Sequence, residues 1–253
     1  MDKCIFLGLP GYGLCHGASV IAATLQASKR GLTRDLKPPQ HSSLLAKGFN
    51  DLWCTALQNR RYTHFAMLHS DIIPEEGWLD VLMDELERTG ADLVSAVSPI
   101  KDDRGLTSCG IGNPMSTWWS PKKRFTMKEI MALPETFTAA DAGYPGDPLL
   151  VNTGCWLADL RNPKWMEKDE DGFLKVFFTI KDGVRVDTDG RLRPVVQSED
   201  WFFSCMMHMV GLKALNTRKV RLKHIGERAY SNDEVWGQDV DTDTAPFWQV
   251  TNA

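Results

Sequence analysis

The sequence has no apolar run approaching the roughly 20 residues that a membrane-spanning helix requires. Residues 1–9 form too short an apolar stretch for a signal peptide, because Pro10 and Gly11 interrupt it. Basic residues are not in excess: 29 Lys and Arg stand against 33 Asp and Glu, which gives a net charge of -4. Duplex nucleic-acid binders usually carry a basic stripe. We therefore expect a cytoplasmic protein with no integral membrane segment and no nucleic-acid partner.

The six cysteines are spread along the chain and form no CxxC pair. Such spacing matches neither a zinc ribbon nor the disulfide framework of a small secreted domain. Most of them have apolar neighbours, as Cys4 has in Ile5 and Phe6. We interpret them as buried, reduced thiols that pack like small apolar side chains, not as catalytic groups.

The chain is large and apolar enough for one α/β domain, with 253 residues of which 43% are apolar. Apolar runs predict strands over 4–9, 32–36, 63–68 and 92–97, and helical spacing predicts helices over 18–28, 42–57 and 74–89. Three strand–helix units in succession predict a central, mostly parallel sheet flanked by helices. Ligands of such sheets bind at the carboxyl ends of the strands.

The second half of the chain is less regular. Residues 101–148 are rich in Gly, Pro, Ser and Asp and are predicted to contain long loops. Strand-like runs over 149–160 and 176–196 predict a smaller antiparallel β element, and a helix is expected to begin near 198. We predict a single domain over 1–230, divided into a ligand-binding half at 1–98 and a second half at 99–230. A mobile acidic tail is expected over 231–253.

Polar residues follow the predicted third strand as His69-Ser70-Asp71. A carboxylate and an imidazole at a strand end can hold a divalent cation, and the cation can neutralise a bound diphosphate. The alternative is that Asp71 caps the turn before Pro74 while His69 packs locally.

A second acidic motif, Ser198-Glu199-Asp200, stands where a helix is expected to begin. The helix dipole would favour the ionised form of Asp200, and an ionised carboxylate can accept a proton from an attacking hydroxyl group. Plain N-terminal capping is the alternative. His224 follows an extended segment and precedes a glycine. A lone histidine of this kind is more often structural than a metal ligand.

The order of these motifs resembles that of the GT-A glycosyltransferases, with a family-2-like character, over roughly residues 4–226. The stretch from Phe65 to Pro74 is similar to the Asp-x-Asp motif of that superfamily, with His69 in place of the first aspartate. The resemblance implies a single GT-A (Rossmann-like) domain that moves a sugar from a nucleotide-sugar donor, such as a UDP- or GDP-sugar, to a hydroxyl group of a glycan or other acceptor.

The resemblance also implies roles for individual residues. Asp71, His224 and His69 would hold Mn²⁺ or Mg²⁺, and Asp200, with Glu199 beside it, would act as the base. The donor would contact Leu9, Pro10, Gly11, Tyr12, Lys47, Asn50, His69, Ser70 and Asp71. The acceptor would contact Gly154 and the aromatic rings of Trp156, Trp118 and Trp119, which are expected in loops. Lys47 is equally compatible with an ordinary solvated helix position.

Two departures from the GT-A pattern bear on specificity. Imidazole prefers softer ions than Mg²⁺, so His69 favours Mn²⁺. No acidic residue stands clearly after the predicted second strand, where GT-A enzymes contact the base or ribose. The sequence leaves open a non-catalytic carbohydrate- or nucleotide-binding protein, an NAD(P)-dependent oxidoreductase and a nucleotidyltransferase. Glycines 8, 11, 13 and 17 do not match GxGxxG, and residues 10–17 contain no Lys or Arg.

Overall fold

The computed structural model describes residues 3–11, 15–37, 42–113 and 121–237. Its first half alternates strands with helices, as the sequence predicts. The elements are β1 (Ile5–Gly8), α1 (Gly17–Thr24), β2 (Arg34–Lys37), α2 (Leu45–Gln58), β3 (His64–Leu68), β4 (Ile72–Pro74), α3 (Trp78–Thr89) and β5 (Leu93–Ala96). Gly90 ends α3 in the left-handed conformation, with φ of 62°, which glycine adopts without strain.

The second half contains more regular structure than expected. Its elements are β6 (Leu106–Ile111), β7 (Lys123–Thr126), α4 (Met127–Ala132), β8 (Thr136–Phe137), β9 (Leu149–Leu150), β10 (Cys155–Asp159), a 3₁₀ helix (Pro163–Met166), β11 (Lys181–Val186), β12 (Leu192–Gln197), α5 (Glu199–Met209), β13 (Ala214–Thr217), β14 (Leu222–Ile225) and β15 (Ala229–Ser231). The prediction of long loops over 101–148 was therefore wrong in part. Thr126 and Glu129 form a reciprocal capping box that starts α4.

The central sheet has seven strands in the order β2-β1-β3-β10-β5-β13-β8. Strands β2, β1, β3, β5 and β13 share one direction, whereas β10 and β8 run against their neighbours. Smaller antiparallel sheets join β15-β14-β4, β7-β6-β9 and β11-β12. The structure thus confirms a mixed α/β fold with a mostly parallel central sheet flanked by helices and with smaller antiparallel elements.

Helices cover both faces of the sheet. Successive residues of a strand point to opposite faces, so neighbouring residues of β1 pack against different helices. In β1, Phe6 belongs to the core cluster that contains side chains from α2 and α5, whereas Ile5 and Leu7 belong to the cluster that contains side chains from α1 and α3. The first cluster is markedly aromatic. Trp53, Phe65, Trp156, Trp165 and Phe203 all contribute rings to it.

The segment after β15 is packed as far as the structure describes it. Asn232 is fully buried, and its side-chain amide donates to the carbonyl groups of Val97 and Val220 at 2.9 and 3.0 Å. Trp236 donates its indole N–H to the Ser231 carbonyl at 2.7 Å. Residues 231–237 of the predicted tail are therefore held against the domain, and the remainder of that tail lies outside the described residues.

In the part of the chain that the structure describes, no helix is both long enough and apolar enough to cross a bilayer.

Candidate functional site

Several of the residues singled out in the sequence lie at one edge of the central sheet, where the parallel strands end. Leu9 to Gly11 follow β1, and His69 to Asp71 follow β3, the strand beside it. Strand β2 lies on one side of β1 and β3 on the other, so the chain reverses its direction of winding between β1 and β3. Such reversals create a crevice in which ligands of α/β sheets bind.

Two later elements reach the same edge because of their direction. Strand β10 runs antiparallel to β3, with Cys155 opposite Leu68, so its first residues and Gly154 before them lie at the end of β3. Helix α5 leads into β13, which is parallel to β5, and its first turn therefore lies at the edge where the parallel strands end. The fold thus places Glu199 and Asp200 at the same edge as Asp71.

Asp71 has two basic partners. Its Oδ2 accepts from Lys101 Nζ at 2.6 Å and lies 3.5 Å from His224 Nε2. Burial alone would raise the pKa of Asp71, but the neighbouring His224 and Lys101 side chains outweigh it and hold that pKa well below its usual range. The Asp71 carbonyl also accepts from Ile225 N at 2.8 Å, which locks its backbone to β14. The alternative of a simple turn cap does not describe this arrangement.

His224 is oriented by a second bond. Its Nδ1 lies 2.8 Å from the carbonyl oxygen of Pro99 and 3.5 Å from Ser98 Oγ. A carbonyl oxygen can only accept, so Nδ1 carries the proton in that bond and Nε2 is left facing Asp71. This is the tautomer and orientation that metal-binding histidines usually have.

His69 packs beside this pair without a hydrogen bond to it. Its ring lies against Phe49, with ring centroids 4.9 Å apart, and its Nε2 is buried without a hydrogen-bond partner among the described residues. Burial lowers the pKa of His69 to about 4, so its imidazole is neutral at pH 7. No group of three or more His, Cys, Asp or Glu side chains with metal-binding geometry occurs within the described ranges, so the three predicted ligands do not form one cluster.

The pair formed by Asp71 and His224 nevertheless suits a cation that takes its other ligands from the substrate. Mg²⁺ is commonly bound by one or two carboxylates together with substrate phosphates and water, and Mn²⁺ accepts both carboxylate and imidazole ligands. His224 Nε2 and Asp71 Oδ2 lie 3.5 Å apart, close enough for both atoms to bind one cation. Lys101 competes with such a cation, because its ammonium group already neutralises Asp71.

Gly154 allows the loop before β10 to approach the end of β3. A Cβ at this position would overlap Ile72 Cδ1 and would lie 2.7 Å from Asn152 Oδ1 and 3.4 Å from His69 Nδ1. The Gly154 carbonyl accepts from His69 N at 2.7 Å. The predicted acceptor-side glycine is thus in contact with the motif that follows β3.

Asp200 is a buried carboxyl group with an unusually high pKa. Burial and the neighbouring charge of Glu199 raise the pKa of Asp200 to about 7, although Ser198 Oγ and Trp201 N donate to its Oδ1 and oppose that shift. Burial also raises the pKa of Glu199. Burial thus opposes the ionisation of Asp200 that the helix dipole favours.

Cys109 is buried between the Asp200 charge and backbone groups near the ends of β5 and β9. Burial raises the pKa of its thiol to about 12, and the charge of Asp200 acts in the same direction, whereas backbone bonds from Ser98 and Asn152 oppose it. The thiol of Cys109 is therefore an inert packing group.

Three predicted contact residues have other roles in the structure. Lys47 is exposed and pairs with Asp51 at 2.6 Å along α2. Asn50 uses its amide to donate to the Phe178 carbonyl at 2.7 Å and to accept from Phe178 N at 2.9 Å. Trp156 lies in β10, not in a loop, and is fully buried. Its ring therefore has no free face for a sugar.

The remaining predicted residues border the crevice or lie outside the described ranges. Leu9 and Pro10 are buried and Gly11 is half-buried at the end of β1. The carbonyl of Ser70 accepts from His16 N at 2.9 Å, which ties the turn after β3 to the start of α1. The predicted contacts of Tyr12, Trp118 and Trp119 lie outside the described residues.

Lys101 is the site residue that sequence reasoning missed. It follows β5 in a polar segment without a recognisable motif, and its partner Asp71 is 30 positions away in the chain. The available signal was its place after the fourth predicted strand, at the edge where ligands are expected.

Comparisons with known proteins support the fold and no more. No family model and no curated protein matches the chain. Among solved structures, A197 from STIV is similar over 94% of this chain and 95% of that chain, with 14% sequence identity and a TM-score of 0.53. A protein described as a glucose-1-phosphate thymidylyltransferase from Bacillus anthracis, solved in complex with a sucrose, is similar over 88% and 89% of the two chains. Its identity is 8% and its TM-score is 0.34, too low to carry an argument.

Proposed function

We propose that this protein is a glycosyltransferase that uses a nucleotide-sugar donor and a divalent cation. The observation that carries the proposal is the arrangement at one sheet edge. A carboxylate–imidazole pair, Asp71 and His224, follows β3 at the crevice, and a buried carboxyl group with a raised pKa, Asp200, begins α5 at the same sheet edge. The first suits a diphosphate–cation complex, and the second suits proton transfer.

In this proposal the donor nucleotide lies in the crevice along Leu9, Pro10 and Gly11. Its diphosphate reaches Asp71 and His224, which would hold Mn²⁺ or Mg²⁺. That cation, when bound, supplies charge stabilisation to the departing nucleoside diphosphate. The protein keeps the pair in position through the bond from Ile225 N to the Asp71 carbonyl and the bond between His224 Nδ1 and the Pro99 carbonyl.

Asp200 is proposed to accept the proton of the acceptor hydroxyl group. A general base works best when its pKa lies near the working pH, and the pKa of Asp200 is about 7. Its Oδ1 accepts from Ser198 Oγ and Trp201 N, and Oδ2 is the oxygen proposed to take the proton. Glu199 contributes through its charge, which helps to keep the pKa of Asp200 high.

A thermal-shift screen tests the donor site. Three proteins are melted with UDP-, GDP-, CMP- and dTDP-sugars in Mn²⁺, Mg²⁺ or EDTA: wild type, Asp71→Ala and the control Asp103→Ala. The control removes an exposed carboxylate from the loop between β5 and β6. A ligand that binds only the folded state raises the melting temperature. At a ligand concentration of 100 times its Kd it adds about 2.7 kcal/mol to the free energy of unfolding. We expect one nucleotide class to give a metal-dependent shift in wild type and Asp103→Ala but not in Asp71→Ala. The absence of a shift with every donor would refute the proposal.

A further inference from the structure

The contact between Lys101 and Asp71 brings the ammonium group of a lysine into the candidate donor site. Lys101 Nζ lies 2.6 Å from Asp71 Oδ2, and the Lys101 side chain is 40% exposed. The same Oδ2 faces His224 Nε2 at 3.5 Å. An ion bound to Asp71 Oδ2 and His224 Nε2 would therefore meet the ammonium group of Lys101 on the same oxygen.

The two partners differ in how freely they can move. The backbone of Asp71 is tied to Ile225 N, so its carboxylate stays at this position. The stem of Lys101 lies against Gly226, where an added Cβ would be 3.0 Å from Lys101 Cβ and 3.3 Å from its Cδ. Beyond that contact the ammonium group ends a flexible chain in a half-exposed position. It can leave Asp71 without any change in the backbone.

Charge gives the direction of that movement. With Asp71 neutralised by Lys101, the site has little net charge to attract a diphosphate. A divalent ion on Asp71 would repel the ammonium group, and both cations would then face the negative charge of the diphosphate. Ammonium groups are common point-charge ligands of phosphate.

We propose that Lys101 is an internal cation that neutralises Asp71 in the ligand-free protein, yields this carboxylate to a divalent ion, and then binds the donor diphosphate. This inference rests on the proposed function for its metal and its ligand. It assigns to one residue two opposite effects, because Lys101 opposes the binding of metal alone and promotes the binding of nucleoside diphosphate.

Two binding measurements test these effects separately from catalysis. Free Mn²⁺ is followed by electron paramagnetic resonance, and UDP and GDP binding in saturating Mn²⁺ is followed by calorimetry. The proteins are wild type, Lys101→Met, Lys101→Arg and Lys223→Met. The last is a matched control, because Lys223 is exposed on β14 beside His224 and its loss changes the net charge equally.

We expect Lys101→Met to bind Mn²⁺ about three- to tenfold more tightly than wild type and the bound nucleoside diphosphate about tenfold more weakly. Lys101→Arg should stay close to wild type in both, and Lys223→Met should leave both unchanged. Equal Mn²⁺ affinities for Lys101→Met and Lys223→Met would overturn the proposal, as would an unchanged nucleoside diphosphate affinity. Thermal melts confirm that each variant is folded.

The outcomes separate this inference from the proposed function. If wild type binds a nucleotide sugar with metal but Lys101→Met shows neither effect, only the role of Lys101 fails. If no protein in the set binds Mn²⁺, both the role of Lys101 and the proposed metal dependence are refuted. The screen in EDTA then decides whether a donor binds at all.

Discussion

Replacing Asp200 with asparagine tests whether burial controls this carboxyl group. Asparagine resembles the protonated acid, and its Oδ1 can still accept from Ser198 Oγ and Trp201 N. The pKa of Asp200 is about 7 in the folded protein against an ordinary 3.8. Each pKa unit corresponds to about 1.4 kcal/mol, so ionised Asp200 costs the folded state about 4 kcal/mol relative to the unfolded chain at pH 8.

The sign of the effect follows from proton binding. Between pH 3.8 and about 7 the folded protein keeps the proton of Asp200 while the unfolded chain releases it, so this group makes stability fall as pH rises. At pH 5 roughly 2 kcal/mol of the cost is already present. Asp200→Asn should therefore gain stability over wild type at both pH values, and the gain should grow by about 2–3 kcal/mol from pH 5 to pH 8.

Urea unfolding of wild type and Asp200→Asn at pH 5 and pH 8 measures this difference. Asp182→Asn is the control, because Asp182 is exposed on the β11 strand and its substitution should change the unfolding free energy by less than about 0.5 kcal/mol at either pH. A gain for Asp200→Asn that does not depend on pH, or a loss of stability at pH 8, would refute the argument from burial.

Four other expectations follow from the site and its support. If Asp200 is the base, kcat/KM for transfer should increase with pH up to about 7 and then level off, and a profile flat from pH 5 to 8 would contradict this role. Gly154→Ala should cost about 1–3 kcal/mol in urea unfolding and weaken nucleoside diphosphate binding in calorimetry, because its methyl group would overlap Ile72. Asn50→Ala should cost about 1–3 kcal/mol by removing both bonds to Phe178 but leave nucleoside diphosphate affinity unchanged, whereas a lower affinity would restore its donor role. Glu85 is buried and bonded to Arg88, and the bond from Arg88 leads the contacts that lower its pKa to about 2. Glu85→Gln should therefore cost about 1–3 kcal/mol at pH 7. That cost should shrink as pH falls from 4.5 toward 2, and a cost that is the same at pH 7 and pH 3 would contradict the assignment.

The first half of the fold could be predicted because its signals are local. Apolar runs that alternate with helical spacing identify β1, β2, β3 and β5, and the parallel direction of these four strands follows from that alternation. The short strand β4 was not predicted, because it lies in the turn before α3. Strand β6 was missed because its sequence, Leu-Thr-Ser-Cys-Gly-Ile, contains no apolar run. Helix α4 was missed although Thr126 and Glu129 have the spacing of a capping box, a signal that the sequence did contain.

The candidate site could be predicted only where residues follow strands. Asp71 and Asp200 stand at element ends that the sequence identifies, and the fold brings both to one edge. The partner of Asp71 could not be found in this way, because Lys101 meets it only through tertiary structure. Trp156 was expected in a loop. In the structure it lies in β10, an antiparallel strand inserted between β3 and β5, and this position places its ring in the core.

Turnover of a nucleotide sugar by the purified protein tests the central proposal most directly. Release of nucleoside diphosphate and the mass of the glycosylated acceptor are measured for wild type, Asp71→Asn and Asp200→Asn, with Mn²⁺ or with EDTA, over a panel of hydroxyl acceptors. We predict metal-dependent transfer by wild type, loss of donor turnover in Asp71→Asn, and a decrease of about 10²- to 10⁴-fold in Asp200→Asn with donor binding retained. Donor binding without any turnover would contradict the proposal and indicate a nucleotide-binding protein, and full turnover by Asp200→Asn would exclude this residue as the base.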